Sequence, residues 1–310
     1  LIINVFITQV YKMESLNKKL NIDVADAISE FQAIMKEFRL KRDIYKLLFR
    51  GKGLEFEAYR DYNPDDDAGD IDWKASLRGQ KLLVKQYREE RDLKIIFMID
   101  VGSNMVFGSS KKLKCEFVTE LVAALSKVIM DINDRVGFII FSDKIHHFID
   151  PKSGEKHFQF FIDLLSQSET YGGPTNLDLA LEFSLQYLDN SINSVFLISD
   201  FLRITHETEK KISLLSSKFE TVAIRVRDML DITLPDVSGE VILQNPATHE
   251  QVIVSPGVAR KTYERYALEQ SKIVENIFKK TGIDHLDLIT NKSFAIPLAM
   301  FLKQRIEKGM

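Results

Sequence analysis

The chain has 310 residues, and its 42 Lys+Arg against 45 Asp+Glu give a formal net charge of −3. This balance argues against a general nucleic-acid-binding protein, which usually carries a strongly basic surface. The single cysteine, Cys115, excludes a disulfide framework and a multi-cysteine zinc site. No apolar run reaches the roughly 18 residues that span a bilayer. We therefore expect a cytoplasmic protein with no membrane span and no nucleic-acid partner.

The first 21 residues are expected to be a leader that is either disordered or a mis-assigned start. The apolar stretch 1–8 is short and no basic segment precedes it, so it makes a poor signal peptide. Met13 is followed by Glu14, which would be a plausible start of translation.

Residues 22–92 are predicted to form an N-terminal helix and a β extension. Apolar residues recur every three or four positions over 22–49, which is the period of a helix, and Asp23 is placed to cap it. Two strands are predicted at 54–62 and 82–87, with a turn-rich loop after the first.

Residues 93–310 alternate apolar strands with amphipathic helices. The predicted strands are 93–100, 136–141, 145–149, 195–198, 221–226 and 284–289. The predicted helices are 112–133, 158–165, 177–188, 204–218, 258–280 and 297–308, and a hairpin is expected from 240–243 and 250–254. This order predicts an α/β fold, an open and mostly parallel Rossmann-like sheet with helices on both faces.

Most familiar catalytic motifs are missing from the sequence. It contains no G-x-x-x-x-G-K-[ST] loop, no Rossmann glycine pattern after its buried strands, no G-x-S-x-G elbow and no H-E-x-x-H pair. A nucleotide cradle, a dinucleotide cofactor, an α/β-hydrolase nucleophile and a zincin site are therefore not expected. We predict a protein that is not an enzyme.

An acidic cluster at Asp65, Asp66, Asp67, Asp70 and Asp72 invites a calcium-binding interpretation. It fails the EF-hand pattern, because the sixth position is Asp70 instead of glycine and the twelfth is Ser76 instead of glutamate. We interpret it as a solvated turn whose carboxylates pair with the nearby basic residues Arg60, Lys74 and Arg78.

Acidic residues end two of the predicted buried strands, at Asp100 and Asp200. Polar loops at 101–105 and 171–176 would converge on the same edge of the sheet, where open α/β sheets bind ligands. Their oxygen atoms are the donors that a hard cation such as Mg²⁺ prefers. Acids at strand ends also commonly cap the following helices, and spacing alone leaves both interpretations open.

These loops resemble those of a von Willebrand factor A domain, in the segments Asp100–Asn104, Gly172–Thr175 and Ile198–Asp200. That family builds a metal-ion-dependent adhesion site from D-x-S-x-S, a threonine and an aspartate. The resemblance implies that Mg²⁺ (or Mn²⁺) is held by a set that we call the strand-end site: Asp100, Asn104, Thr175 and Asp200. Gly102 replaces the first serine and offers no side-chain oxygen, so the implied binding is weak or needs an acidic ligand from a partner.

The upstream segments resemble the bacterial family catalogued as domain of unknown function 58. The matching blocks are Gly53–Phe56, Arg60–Pro64, Ile71–Ser76, Leu82–Tyr87 and Gly282–His285, and the resemblance covers about residues 20 to 305. It departs at 64–69, where the usual P-G-D-D-x-R loses a glycine and a basic residue. Membership implies a non-enzymatic adaptor that works with a MoxR-type AAA+ ATPase in the assembly or maturation of other proteins.

The block that contains Arg60, Asp72 and Trp73, the only tryptophan, has two interpretations. The three residues form either a partner-binding surface or a structural unit, in which Trp73 anchors the extension in the core and Arg60 pairs with Asp72. The lack of a nearby nucleophile or base favours the structural role.

Two alternatives to the adaptor remain open. The strand-end site could serve a metal-dependent hydrolase or phosphoryl-transfer enzyme, which would also need a general base. The protein could instead be a metal-free scaffold, an interpretation that Gly102 favours.

Overall fold

The computed structural model describes residues 20–38, 54–63, 66, 71–89, 93–202, 204–244 and 250–309. The predicted leader lies outside these residues except for its last two positions. The second half of the predicted first helix, residues 39–49, and most of the acidic turn also lie outside them.

The first helix, α1 (Val24–Glu37), begins where the sequence predicts, because the Asp23 side chain accepts a hydrogen bond from the backbone N–H of Asp26. Its apolar stripe, Ala27, Phe31 and Met35, is buried in the main core. The ring of Phe31 lies 6.4 Å from that of Phe294 near the C-terminus. This helix therefore packs against the body that follows it in sequence.

The β extension pairs β1 (Leu54–Asp61) with β2 (Leu83–Glu89) in an antiparallel ladder. Between them lies a short helix that the sequence did not predict, α2 (Trp73–Gly79). Asp72 caps it by accepting hydrogen bonds from Lys74 and Ala75, both at 3.0 Å. Seven residues are too few for a helical period to stand out in the sequence.

Within the described ranges, the main sheet has six strands. The remaining strands along the chain are β3 (Lys94–Asp100), β4 (Arg135–Phe141), β5 (Ile145–Lys152), β6 (Ser194–Ser199), β7 (Glu220–Arg227), β8 (Val241–Gln244), β9 (Gln251–Val254) and β10 (Asp284–Ile289). The sheet order is β10-β7-β6-β3-β4-β5, parallel throughout except that β5 runs antiparallel to β4. Strands β8 and β9 form the predicted hairpin.

Helices cover both faces of this sheet. They are α3 (Lys114–Met130), α4 (Glu155–Leu165), α5 (Leu177–Tyr187), α6 (His206–Lys218), α7 (Pro256–Thr281) and α8 (Ala295–Gly309). One core contains α1, α3, α4 and α8, and the other contains α5, α6 and the C-terminal part of α7. Alternate residues of β3 enter the two cores, Phe97 into the first and Met98 into the second. Burial on both faces explains the continuous apolar strands, and the predicted fold class is confirmed.

Strand β3 lies at the point where the chain changes direction across the sheet. From β3 the chain continues to β4 on one side, and it later returns to place β6 on the other side. Such a switch point leaves a crevice at the carboxyl ends of the two neighbouring strands. The loops after β3 and β6 border this crevice.

Candidate functional site

All four residues of the strand-end site lie together at the carboxyl edge of the sheet. Parallel pairing of Ile99 with Ile198 brings the ends of β3 and β6 side by side. The loop before α5 is fastened to the loop after β3, since Gly172 donates to the carbonyl of Val101 and Ser103 donates to that of Gly173, both at 2.8 Å. The predicted convergence of the three loops is therefore present.

Asp100 is completely buried at the centre of the site. Its Oδ1 accepts hydrogen bonds from the backbone of Gly102 at 2.9 Å and the hydroxyl of Thr175 at 2.8 Å, and its Oδ2 accepts one from Ser199 at 2.7 Å. In the described part of the chain, no ion pair involves this carboxylate. The described residues thus give Asp100 neutral donors and no counter-charge.

The side-chain oxygens of Asn104 and Thr175 meet beside Asp100. Thr175 Oγ1 lies 2.6 Å from Asn104 Oδ1 and 2.8 Å from Asp100 Oδ1. A hydroxyl has one hydrogen to donate, so it can satisfy only one of these contacts at a time. Three oxygens therefore converge with a single proton among them, an arrangement that favours a cation.

Gly102 has a clear steric reason for lacking a side chain in this arrangement. A Cβ atom there would lie 2.1 Å from Thr175 Oγ1 and 2.6 Å from Asn104 Oδ1. The threonine hydroxyl occupies the space that the family's serine would need. A serine at this position would have to displace Thr175.

Asp200 has a partner that the sequence analysis missed, the ammonium group of Lys114. This lysine, at the start of α3, is fully buried, and its Nζ lies 2.9 Å from Asp200 Oδ2 and 3.1 Å from Asp231 Oδ2. Asn104 Nδ2 also donates to Asp200 Oδ2 at 2.6 Å, and the backbone of Leu202 donates to Oδ1 at 3.2 Å. Asp200 is thus occupied by donors from within the chain.

Burial and mutual repulsion shape the electrostatics of the site. Burial, with the nearby charge of Asp200, raises the pKa of Asp100 to about 6. Burial also raises the pKa of Asp231, although Lys114 opposes this effect. Burial alone would lower the pKa of Lys114, but the carboxylates of Asp200 and Asp231 outweigh it and raise that pKa. Lys114 therefore stays charged and forms ion pairs with both Asp200 and Asp231.

The loop after β7 contributes two further acids whose side chains are buried, Asp228 and Asp231. Asp228 accepts hydrogen bonds from the backbone of Ser109 and the hydroxyl of Thr290, both at 2.9 Å. Asp228 directly follows a strand, so the search for acids at the ends of buried strands, which identified Asp100, could also have identified Asp228. Lys114 carried no such signal, because a lysine in a first helical turn usually lies in solvent.

A serine–histidine pair lies next to the loop that carries Thr175. Ser142 Oγ is 2.6 Å from His146 Nε2, and the backbone of Asn176 donates to the Ser142 carbonyl at 2.8 Å. His146 is partly buried, and burial lowers its pKa. Ser142 is itself fully buried, so its hydroxyl is not presented to solvent.

Arg60, Asp72 and Trp73 do not form the predicted structural unit. Trp73 is 63% exposed, so the expectation of a core anchor is wrong. Arg60 pairs with Asp66 (2.7 Å from Nη2 to Oδ1), and Asp72 pairs with Lys85 at 3.3 Å. The expected Arg60–Asp72 pair is therefore replaced by two other pairs.

The acidic turn agrees in part with its interpretation. Hydrogen bonds from Arg60 and from the backbone of Asn63 lower the pKa of Asp66 to about 2. Asp65, Asp67 and Asp70 lie outside the described residues.

Trp73 and Leu77, one turn apart on α2, are both exposed, Leu77 at 81%. Because Trp73 is the only tryptophan, we expect the native fluorescence maximum to resemble that of the urea-unfolded chain, with strong acrylamide quenching. A blue-shifted band that acrylamide barely quenches would contradict the exposed position.

Three of the four predicted ligands are placed so that they could bind a divalent cation. The oxygens of Asp100, Asn104 and Thr175 converge, and the buried carboxylate of Asp100 has no cationic partner among the residues that the structure describes. Asp200 does not fit as a fourth direct ligand, because Lys114 and Asn104 hold it. In the described part of the chain, no group of three or more His, Cys, Asp or Glu residues is arranged to hold a metal. Such a site would have one carboxylate and two neutral oxygens.

Comparison with known proteins identifies relatives along most of the chain. The family model described as "Protein of unknown function DUF58" matches residues 58–273. An uncharacterised protein of Mycobacterium tuberculosis is 23% identical over 261 residues, which are 83% of this chain and 81% of that protein. A Mycobacterium bovis protein, also uncharacterised, matches equally well.

Similar solved structures include a conserved hypothetical protein BatB from Bacteroides thetaiotaomicron, at 13% identity and a TM-score of 0.43, covering 70% of this chain and 98% of that one. Proximal thread matrix protein 1 from the mussel byssus, solved with a zinc-occupied MIDAS motif, has 19% identity and a TM-score of 0.34, over 44% and 36% of the two chains. Among the described residues, no helix is long and apolar enough to cross a membrane.

Proposed function

Because this chain belongs to the DUF58 family, and the relatives reported above are themselves uncharacterised, we propose its function from the site itself. We propose that it is a non-enzymatic, protein-binding adaptor that uses the strand-end site to engage a MoxR-type AAA+ ATPase. It would act in the cytoplasm, in the assembly or maturation of other proteins. The choice of ATPase rests on the resemblance of the sequence to this family.

The observation that carries the proposal is the convergence of Asp100, Asn104 and Thr175 at a switch point of the sheet. The hydroxyl oxygen of Thr175 lies 2.6 Å from Asn104 Oδ1 and 2.8 Å from Asp100 Oδ1. Among the described residues, the side chains that contact the two strand-end acids are hydroxyls, an amide and an ammonium. None of these is a general base at neutral pH, and the arrangement supports binding over catalysis.

Asp100, Asn104 and Thr175 would hold the cation, Mg²⁺ or Mn²⁺. When bound there, the cation would offer an open coordination position to a carboxylate of the partner protein. The chain's own residues keep the loops in place, since Ser199 and Gly102 fix the two oxygens of Asp100.

An affinity pull-down from the native host tests the proposal. The tagged protein is used in parallel with Mg²⁺ plus ATP and with EDTA, and captured proteins are identified by mass spectrometry. We expect a MoxR-type ATPase in the Mg²⁺ lane and much less of it with EDTA. The variant Asn104→Ala should lower capture, while Gln159→Ala, on an exposed part of α4, should not.

The outcomes separate the two parts of the proposal. Equal capture in both lanes would keep the adaptor and remove the cation from its mechanism. Absence of the ATPase from both lanes would contradict the adaptor itself.

A metal-dependent hydrolase is the second candidate, and the Ser142–His146 hydrogen bond of 2.6 Å is the observation in its favour. The pair has a nucleophile and a base in contact, but the serine is fully buried. A screen of phosphoesters and peptides with Mg²⁺ or Mn²⁺ tests this candidate. Turnover that Ser142→Ala abolishes would support it.

A further inference from the structure

Lys114 is a buried cation that contacts the carboxyl edge of β3 and β6 through Asp200, and the proposed function does not account for it. Its side chain is fully buried, with Nζ in contact with Asp200 and Asp231 and 5.9 Å from the centre of the Phe107 ring. Removing an ammonium group from water is costly unless carboxylates hold it. These two acids are therefore what keeps Lys114 in place.

The position of Lys114 in its helix is also unfavourable. It is the first residue of α3, at the positive end of the helix dipole, where a cation is disfavoured. Local helix preferences would place an acid here and a lysine in the last turn, where α3 has Lys127. The position of Lys114 is explained by the acids that it meets and not by the helix.

The contacts of Lys114 bear directly on cation binding. Asp200 Oδ2 accepts from both Lys114 and Asn104, and Oδ1 accepts from the backbone of Leu202. A divalent cation beside Asp100 would find the charge of Asp200 already compensated. One carboxylate instead of two would then attract it, and the affinity of such a site depends on the number of charged ligands.

We propose that Lys114 is the built-in counter-charge of the strand-end site and that, by holding Asp200, it keeps the affinity for divalent cations low. This inference rests on the proposed function in one respect, that the oxygens of Asp100, Asn104 and Thr175 accept the cation. A second acid would then come from the bound partner, which makes cation binding and partner binding mutually dependent.

A charge-matched pair of proteins tests this role. The double variant Lys114→Met/Asp231→Asn loses one positive and one negative charge, so the net charge of the cluster is that of the wild type. The difference from the wild type is that Asp200 has lost its ion pair with Lys114. We expect the double variant to bind Mn²⁺, measured by calorimetry and by electron paramagnetic resonance, at least about tenfold more tightly, equivalent to about 1.4 kcal/mol.

Two further variants secure the interpretation. Adding Asp200→Asn to the double variant should abolish the gain, because the freed acid is then missing. Lys114→Gln removes the charge but keeps a donor for Asp200, and we expect a gain in Mn²⁺ affinity from it as well. Circular dichroism establishes that each protein is folded, and Lys114→Gln decides the question if the double variant is not.

Mn²⁺ binding that is no tighter in the folded variants, or that is absent from all of them, would overturn the role of Lys114. Tighter binding by the double variant and by Lys114→Gln than by the wild type would support it. Capture of the ATPase is measured in a separate experiment. If the variants gain Mn²⁺ affinity but no ATPase is captured, the result contradicts the adaptor function and leaves the role of Lys114 intact.

Discussion

Replacing Lys114 by methionine is expected to lower the free energy of unfolding by about 3–5 kcal/mol. The change leaves Asp200 and Asp231 buried next to each other without the ammonium that lies 2.9 and 3.1 Å from them. Two unpaired buried carboxylates repel each other and cannot regain the hydration that they lost on folding. Urea denaturation, followed by circular dichroism at neutral pH, measures the change.

The matched control lies on the same helix. Lys127 is partly exposed and pairs with Asp131 one turn away, at 3.3 Å. Lys127→Met should change stability by no more than about 1 kcal/mol, as is usual for pairs near the surface. Similar losses for the two variants would mean that Lys114 is not held as the structure describes.

Truncating Phe31 to alanine is expected to cost about 3–5 kcal/mol of stability, the usual loss for a large buried aromatic side chain. Phe31 is fully buried, and its ring lies against Phe294, which in turn contacts Phe117 edge to face at 5.6 Å. The truncation would leave a cavity between α1, α3 and the start of α8. Thermal and urea unfolding give the measurement.

Phe160→Ala is the control for this truncation, because that ring is 55% exposed on α4. It should alter stability by about 0.5 kcal/mol or less. If Phe31→Ala had an equally small effect, α1 would not be part of the main core.

The sheet could be predicted because its strands are buried on both faces. Such strands appear as continuous apolar runs, as in residues 95–99 and 195–198, and the alternation with helices implies parallel pairing. Helix α2 was missed because it is short and its only local signal is the cap at Asp72. Strand β5 extends to Lys152, three residues beyond the prediction, because pairing with β4 continues over a stretch of mixed polarity.

Only the part of the strand-end site that follows from local sequence patterns could be predicted. Asp100 and Asp200 end apolar strands, and the Thr175 loop precedes a helix that Asn176 caps, so their convergence follows from the topology. Lys114 could not be predicted in the same way, because its contact with Asp200 joins positions 86 residues apart. Which buried group neutralises which acid depends on side-chain packing, which strand and helix patterns do not specify.

The exposure of Trp73 could not be predicted from the sequence either. A lone tryptophan in a motif-rich segment is more often buried than exposed, and the helix that presents it was not predicted. Its neighbour Leu77 is even more exposed, and the partner-binding surface of Arg60, Asp72 and Trp73 stays a prediction.

The most direct test of the adaptor is site-specific photo-crosslinking to a purified MoxR-type ATPase of the same host. Benzoylphenylalanine is introduced at Pro174, an exposed position beside Thr175. In a second protein it is introduced at Ser153, which is exposed at the opposite edge of the sheet. Ser153 lies there because its neighbour Lys152 pairs with Val136 at the start of β4. We predict a crosslink to the ATPase from position 174 that requires Mg²⁺, and none from position 153. Crosslinking from position 153 alone, from both positions equally, or from neither would contradict binding through the strand-end site.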